Sequence, residues 1–88
     1  MYYVYLLKSL KYQNKIYIGV TSDLKKRMHE HNAGLTYTTQ RILPVELIYY
    51  EAYKSKTDAQ KREHMLKQYG NSLARLKKRL SSSLSFQK

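Results

Sequence analysis

Hydrophobic residues are grouped along the chain in three segments that predict strands. Residues 1–7 are aromatic, β-branched or aliphatic, and residues 15–20 repeat this character after a short polar connection. Residues 45–52 form the third segment. Side chains alternate between the two faces of a strand, and on this basis we expect Tyr5 and Tyr17 to lie on one face of an antiparallel sheet.

The segment after the second strand has the start and stop signals of a helix. Ser22 is predicted to cap a helix over residues 23–33, and Gly34 is predicted to end it. One face of this helix combines apolar residues with two residues of chemical interest. That face carries Leu24, Met28 and His31, with Arg27 one step round. Arg27 and His31 are therefore expected beside the core and not on the solvent side.

Helical patterns return after the third strand. Residues 56–69 predict a second helix that Gly70 ends, and residues 72–80 predict a third, strongly basic helix. Residues 35–44, rich in threonine and closed by a proline, are predicted to form a surface loop. Together the elements predict an α+β fold in which a small three-stranded antiparallel-type sheet is flanked by helices.

Length and charge limit the domain organisation and the class of partner. The chain has 88 residues, which is enough for one small domain. We expect that domain to span residues 1–80 and the polar tail, 81–88, to be disordered. Lys and Arg number 17 against 6 Asp and Glu, giving a net charge of +11. Such an excess favours a polyanion, so nucleic acid is the expected partner and a membrane is not.

Cysteine is absent from the sequence. This excludes disulfides and thiolate metal sites, so a metal ion would need oxygen or imidazole ligands. The amino terminus begins with a strand-like segment and lacks the basic and then apolar build of a secretory signal. A cytoplasmic location is the resulting expectation.

Several motifs of the amino-terminal half resemble those of one nuclease family. Two tripeptides rich in tyrosine lie in the first two predicted strands, Tyr3-Val4-Tyr5 and Tyr17-Ile18-Gly19. Arg27 follows Tyr17 by the ten-residue spacing that the family uses. These features resemble the core of a GIY-YIG nuclease domain, and the resemblance extends from Tyr3 to about Leu80. It implies a small sheet with flanking helices that cleaves phosphodiester bonds using one divalent cation, Mg²⁺ or Mn²⁺.

Hydrolysis of a phosphodiester needs a base for the attacking water, a cation for the phosphate charge and help for the departing oxygen. The resemblance implies that Tyr5 and Tyr17 lie at the cleavage site and that one of them accepts the proton from water. It implies that Arg27 binds the scissile phosphate. His31, one helical turn on, is a candidate to orient a tyrosine or shuttle a proton.

The resemblance also implies that Glu63 holds the metal ion. Glu63 is the only acid in the last thirty residues, and basic residues surround it. An alternative is an ion pair with Lys67 at i+4, and the two roles are compatible. The chain departs from the family at Tyr3, where the family name has glycine, and at Val20, where the nucleotide-excision-repair branch has lysine.

The remaining alternatives concern the wider surface and the activity. Residues expected to contact nucleic acid are Lys26, Tyr37, Arg41, Lys67, Arg75 and Lys78. The resemblance favours a metal-dependent endonuclease or a structure-selective nuclease, with DNA expected over RNA as the substrate. A link to DNA repair or recombination and a targeting protein as partner are the further expectations that it raises. A nucleic-acid-binding module of the same fold that cuts poorly or not at all is the main alternative. A scaffold that recruits repair proteins is the third.

Overall fold

The computed structural model describes residues 1–12, 14–68 and 70–84. In this part the elements follow in the order β1 (Tyr2–Ser9), β2 (Ile16–Thr21), α1 (Leu24–Asn32), β3 (Val45–Tyr53), α2 (Lys56–Gln68) and α3 (Gly70–Arg79). The predicted α+β class and three-stranded antiparallel sheet are confirmed. None of the helices in these ranges is long and apolar enough to cross a membrane.

Strand β1 is the centre of the sheet, whose strand order is β2-β1-β3. It pairs antiparallel with both neighbours. This placement follows from the sequence of β1, because residues 4–9 are all buried and only a central strand is covered on both faces. Strand β2 is an edge strand, and its outer edge borders the candidate site.

The register places the two motif tyrosines on one face. Tyr5 pairs with Gly19, and Leu7 pairs with Tyr17. The rings of Tyr5 and Tyr17 have centroids 6.2 Å apart. The prediction that these two tyrosines share a face is confirmed.

The two faces of the sheet carry different helices. On the face of Tyr5, α1 packs through Leu24 and Met28 against a core that includes Leu7 and Val45. On the other face, α2 and α3 cover a second core. Its buried members are Val4, Leu6, Ile18, Ala59, Leu66 and Leu76. Helices α1 and α2 bury their apolar faces on the sheet, and α3 packs on α2 with Leu76 in the second core.

A bulge changes the alternation of β3. Leu6 pairs with Tyr49 and Leu7 with Leu47, so Ile48 is an extra residue between them. Leu47 packs on the face of α1, whereas Ile48 and Tyr49 both pack on the face of α2 and α3. Without the bulge, alternation from Val45 would place Tyr49 on the face of α1. The bulge moves Tyr49, and with it every following residue of β3, to the opposite face.

The cap of α1 differs from the prediction. Asp23, and not Ser22, is the N-cap, and its carboxylate accepts a hydrogen bond of 3.0 Å from the backbone N–H of Lys26. An aspartate also adds negative charge at the positive end of the helix dipole. Gly34 follows the helix with φ of 76°, a conformation that favours glycine, so its predicted role as the stop is confirmed.

Two further predictions need correction. Gly70 is the first residue of α3 and does not form a left-handed end to α2, which ends at Gln68. The predicted surface loop, 35–44, contains Thr39, which is completely buried. Residues 81–84 form turns that continue from α3, and the rest of the predicted tail, like the last residue of the predicted second helix, lies outside the described residues.

Candidate active site

Tyr5 lies at the centre of the site and has no exposed surface. Its hydroxyl is 2.8 Å from Nε2 of His31 on α1. The ring passes directly over Gly19 of β2, where an added Cβ would lie 2.5 Å from the Tyr5 hydroxyl oxygen. Only glycine leaves room for the ring, so Gly19 is required by this close approach.

Burial raises the pKa of Tyr5 to about 12. A hydrogen bond from the Arg27 guanidinium acts in the opposite direction and does not offset the burial. Tyr5 therefore stays protonated at neutral pH and, having no exposed surface, is poorly placed to meet water.

His31 is also fully buried, and both of its ring nitrogens have partners. Nε2 meets the hydroxyl of Tyr5, and Nδ1 is 2.8 Å from Oγ1 of Thr39. Burial, and then the charge of Arg27, lowers the pKa of His31, so the ring is neutral at pH 7. A neutral imidazole has one donor and one acceptor. One of its two contacts is therefore donated by the ring and the other by a hydroxyl, and either tautomer satisfies both nitrogens.

Thr39 was missed by the reasoning from sequence. It is one of the threonines of a polar loop, and nothing local distinguishes it from its exposed neighbour Thr38. Its role depends on the loop folding back over α1, which brings together two side chains that lie eight positions apart in the chain.

Tyr17 differs from Tyr5 in being half-buried. Its ring centroid is 5.2 Å from that of His31. On its open side Tyr17 lines a groove of about 390 Å³ at the outer edge of β2. Arg27 of α1 and Glu63 of α2 line the same groove, although the two helices pack on opposite faces of the sheet. We call this space, lined by Tyr17, Arg27 and Glu63, the Glu63 groove.

Arg27 has one partner on its own helix as well as Tyr5. Its Nη1 is 3.1 Å from the carboxylate of Glu30, at i+3. The hydrogen bond with Tyr5, and then the one with Glu30, raises the pKa of Arg27, which therefore keeps its charge. Glu30 was not identified from the sequence, although its spacing from Arg27 is that of a helical ion pair. The contact with Glu30 holds the guanidinium beside the groove.

Glu63 forms the ion pair that the sequence suggested as an alternative to metal binding. Its carboxylate is 2.9 Å from Nζ of Lys67, and that Nζ is 6.0 Å from the centroid of the Tyr17 ring. No group of three or more Asp, Glu, His or Cys side chains is clustered in the part of the chain that the structure describes. A cation here would have Glu63 as its carboxylate ligand, with other oxygen donors from the groove, water and substrate.

The other predicted nucleic-acid contacts are divided between the two faces. Lys26 lines a neighbouring groove with Arg27, and Lys67 is next to Tyr17. In the 35–44 loop, Arg41 lies over the ring of Tyr37 at 6.0 Å. The remaining two, Arg75 and Lys78, are exposed on α3, across the sheet from α1, and are not brought together with Tyr17 and Arg27.

Comparison with known proteins is consistent with this geometry. Residues 1–81 match the family model of the GIY-YIG catalytic domain. The chain is 45% identical over 67 residues to a UPF0213 protein of Streptococcus pyogenes serotype M3, covering 74% of this chain and 70% of the relative. It is 37% identical over 70 residues to a UPF0213 protein of Haloquadratum walsbyi, covering 77% and 75%. No solved structure gives a significant match. The family model and these relatives show that the chain belongs to the GIY-YIG family, whose domains have a nuclease-type function.

Proposed function

We propose that this protein is a metal-dependent endonuclease that hydrolyses phosphodiester bonds in nucleic acid, with DNA preferred over RNA. The observation that carries the proposal is the Glu63 groove, which Tyr17, Arg27 and Glu63 line together. A phenolate, a guanidinium and a carboxylate are suited to accepting a proton, binding a phosphate and holding a hard cation, respectively.

The contrast between the tyrosines supports Tyr17 as the base. Tyr5 is fully buried and its pKa is raised to about 12. Tyr17 is half-buried and reaches the groove, where its phenolate, with its charge stabilised by Arg27 and by a cation held at Glu63, would accept the proton of a water bound beside a phosphate. Tyr5 would then be a positioning residue, since His31 holds its hydroxyl and its ring lies beside that of Tyr17.

Arg27 would bind the scissile phosphate. A guanidinium presents several donors in a plane and keeps its charge, so it can bind two phosphate oxygens while it neutralises charge that develops during attack. The contact with Glu30 uses Nη1, and substrate binding at the groove would replace or share that contact.

Glu63 fits a hard divalent cation. Its own carboxylate and the neutral oxygens of Gln60 and Ser22 around the same groove are the donors that Mg²⁺ and Mn²⁺ prefer. When bound, such a cation supplies positive charge for the phosphate and the departing oxygen. Glu63 would exchange Lys67 for the cation, leaving the ammonium free to meet the nucleic-acid backbone.

The test is cleavage of labelled single-stranded, duplex, flap and four-way-junction substrates, in DNA and RNA, with Mg²⁺, Mn²⁺ or EDTA. Wild type is compared with Glu63→Gln, and Asp58→Asn is the control because Asp58 is an exposed acid on the same helix. We expect metal-dependent cutting that Glu63→Gln abolishes and Asp58→Asn preserves. Cutting that is equal in Glu63→Gln, or that persists in EDTA, contradicts the proposal.

A second comparison separates the tyrosines. Tyr17→Phe should reduce the cleavage rate by about 10²- to 10⁴-fold, the range for loss of a general base, while binding is retained. Tyr50→Phe is the control, because Tyr50 is an exposed tyrosine of β3 on the far edge of the sheet. Salt-dependent binding without any cutting by wild type would instead identify a nucleic-acid-binding module.

A further inference from the structure

A second groove of about 420 Å³ shares Tyr17 with the Glu63 groove. It is formed by the connection between β1 and β2, the start of β2 and the 35–44 loop. The residues that define it are Tyr12, Lys15, Tyr17, Thr38, Arg41 and Ile42. Because Tyr17 lines both grooves, a chain that passes over Tyr17 can occupy both.

The second groove has positive charge and an accessible aromatic ring. Lys15 and Arg41 are exposed cations, and none of the described residues that line the groove is acidic. Tyr12 has 44% of its surface exposed, and Nζ of Lys11 is 5.3 Å from the centroid of its ring. Cations that follow a phosphate backbone, together with a ring on which a base stacks, are the features of a single-strand binding surface.

We propose that the second groove binds an unpaired nucleotide next to the scissile phosphate, with its base on Tyr12 and its phosphate at Lys15 and Arg41. This inference rests on the proposed nuclease function and names the substrate class: nucleic acid with a single-stranded segment adjoining the bond to be cut. An intact duplex cannot use the groove in this way, because its bases are already stacked and paired.

The size and position of the groove agree with this occupant. Its volume is within the range of about 300–1,000 Å³ for sites that enclose small ligands. Arg27 lines the Glu63 groove, which shares Tyr17 with the second groove, and Lys26 lines a groove next to it. Backbone contacts would therefore continue along the strand from one groove to the other. Exposed Tyr12 packs in neither core, so it is available for a ligand and can be changed without disturbing the fold.

The experiment uses two fluorescent probes, a blunt duplex and the same duplex with a short unpaired flap, each made in DNA and in RNA. Binding of each probe is measured by fluorescence anisotropy in EDTA, which prevents metal-dependent cutting. Wild type should bind the flap probe more tightly. Tyr12→Ala should weaken flap binding about 5- to 100-fold, as expected for loss of one stacked base, and leave duplex binding unchanged. Tyr12→Phe should retain the preference. Tyr50→Ala is the control, because Tyr50 is 52% exposed and lies on the far edge of the sheet.

The cations have a separate signature. Changing both Lys15 and Arg41 to Ala should lower the slope of log affinity against log salt for the flap probe, by about 0.7 for each phosphate that the variant no longer neutralises. Equal weakening of both probes by Tyr12→Ala, or no weakening, overturns the inference.

Outcomes for the groove and for the nuclease function can be told apart. If wild type shows no cutting while Tyr12→Ala selectively loses flap binding, the second groove is supported as a single-strand binding site and the nuclease function is contradicted. If cutting depends on Glu63 while Tyr12→Ala has no selective effect on flap binding, the nuclease function is supported and the role of the second groove is contradicted.

Discussion

Replacing Thr39 by valine tests the buried hydrogen bonds that hold the site together. Thr39 Oγ1 is 2.8 Å from Nδ1 of His31, whose Nε2 is 2.8 Å from the hydroxyl of Tyr5. All three residues are completely buried. Valine keeps the branched shape of threonine but removes the hydroxyl, and water has no access to replace it. Thr39→Val therefore leaves one polar atom of His31 buried without a partner.

The expected cost follows from that atom. An unpaired buried donor or acceptor costs about 1–3 kcal/mol. An 88-residue domain has a total free energy of unfolding of roughly 4–13 kcal/mol, so the loss is a sizeable fraction. For a loss of about 2 kcal/mol and a urea dependence of about 2 kcal/mol per M, the unfolding midpoint falls by about 1 M.

The assay is urea unfolding at pH 7, followed by tyrosine fluorescence and circular dichroism. Thr39→Ser, which keeps the hydroxyl, should recover most of the lost stability. Thr57→Val is the control at an exposed position of α2, and it should change the free energy of unfolding by no more than about 0.5 kcal/mol. If Thr39→Val unfolds at the same urea concentration as wild type, the hydrogen bond between His31 and Thr39 does not stabilise the site.

Three further predictions concern pH and packing. Burial lowers the pKa of His31, so the contribution of the neutral ring to stability is complete above the unfolded pKa of about 6.5 and is lost as pH falls below it. The free energy of unfolding should change by at most about 1.4 kcal/mol per pH unit from this group, and His31→Gln should remove that pH dependence in urea unfolding. Gly19→Ala should cost about 1–3 kcal/mol by overpacking against Tyr5, measured by thermal unfolding. Glu51→Gln should cost about 2 kcal/mol, because Arg62 donates to both oxygens of Glu51 at 2.9–3.2 Å across β3 and α2, measured in the same way.

Each of these has a matched control. His29→Gln should leave the pH dependence unchanged, because His29 is exposed on the same helix. Gly70→Ala should not destabilise, because an added Cβ meets nothing within 4 Å. Glu46→Gln, at an exposed acid of the same strand as Glu51, should have little effect. A control that loses as much stability as its partner variant would show that the hydrogen bond or close packing at the tested residue is not the cause.

The Glu51 carboxylate should also make the free energy of unfolding fall at acid pH. Burial would raise the pKa of Glu51, but hydrogen bonds from Arg62, Tyr49 and Tyr53 outweigh burial and hold it below its usual value of 4.5. This contribution is present above that value and is lost as pH falls through the lower, folded value. Alternation in β3 places Tyr49, Glu51 and Tyr53 on one face, but the bulge at Ile48 decides that α2 covers this face, so the pairing of Glu51 with Arg62 could not be predicted from sequence.

Much of the fold could be predicted from local patterns. The strands are continuous apolar or aromatic segments, and α1 is bounded by Gly34, whose φ of 76° only glycine adopts readily. The cap was assigned to Ser22 instead of Asp23 because both residue types accept hydrogen bonds at that position. Gly70 was misassigned because a glycine ends a helix only when its backbone is left-handed, which composition does not reveal.

By itself the sequence determined the elements, the antiparallel sheet, the shared face of Tyr5 and Tyr17, and the helix face that carries Arg27 and His31. These depend on periods of two and 3.6 residues, which are local. The tertiary structure alone decided that Tyr5 is buried while Tyr17 is half-open, that Thr39 closes on His31, and that Glu63 reaches the edge of β2 from the opposite face of the sheet. Those facts depend on strand order, on the outer edge of β2 and on a loop folding over a helix, and no local period encodes contacts between distant segments.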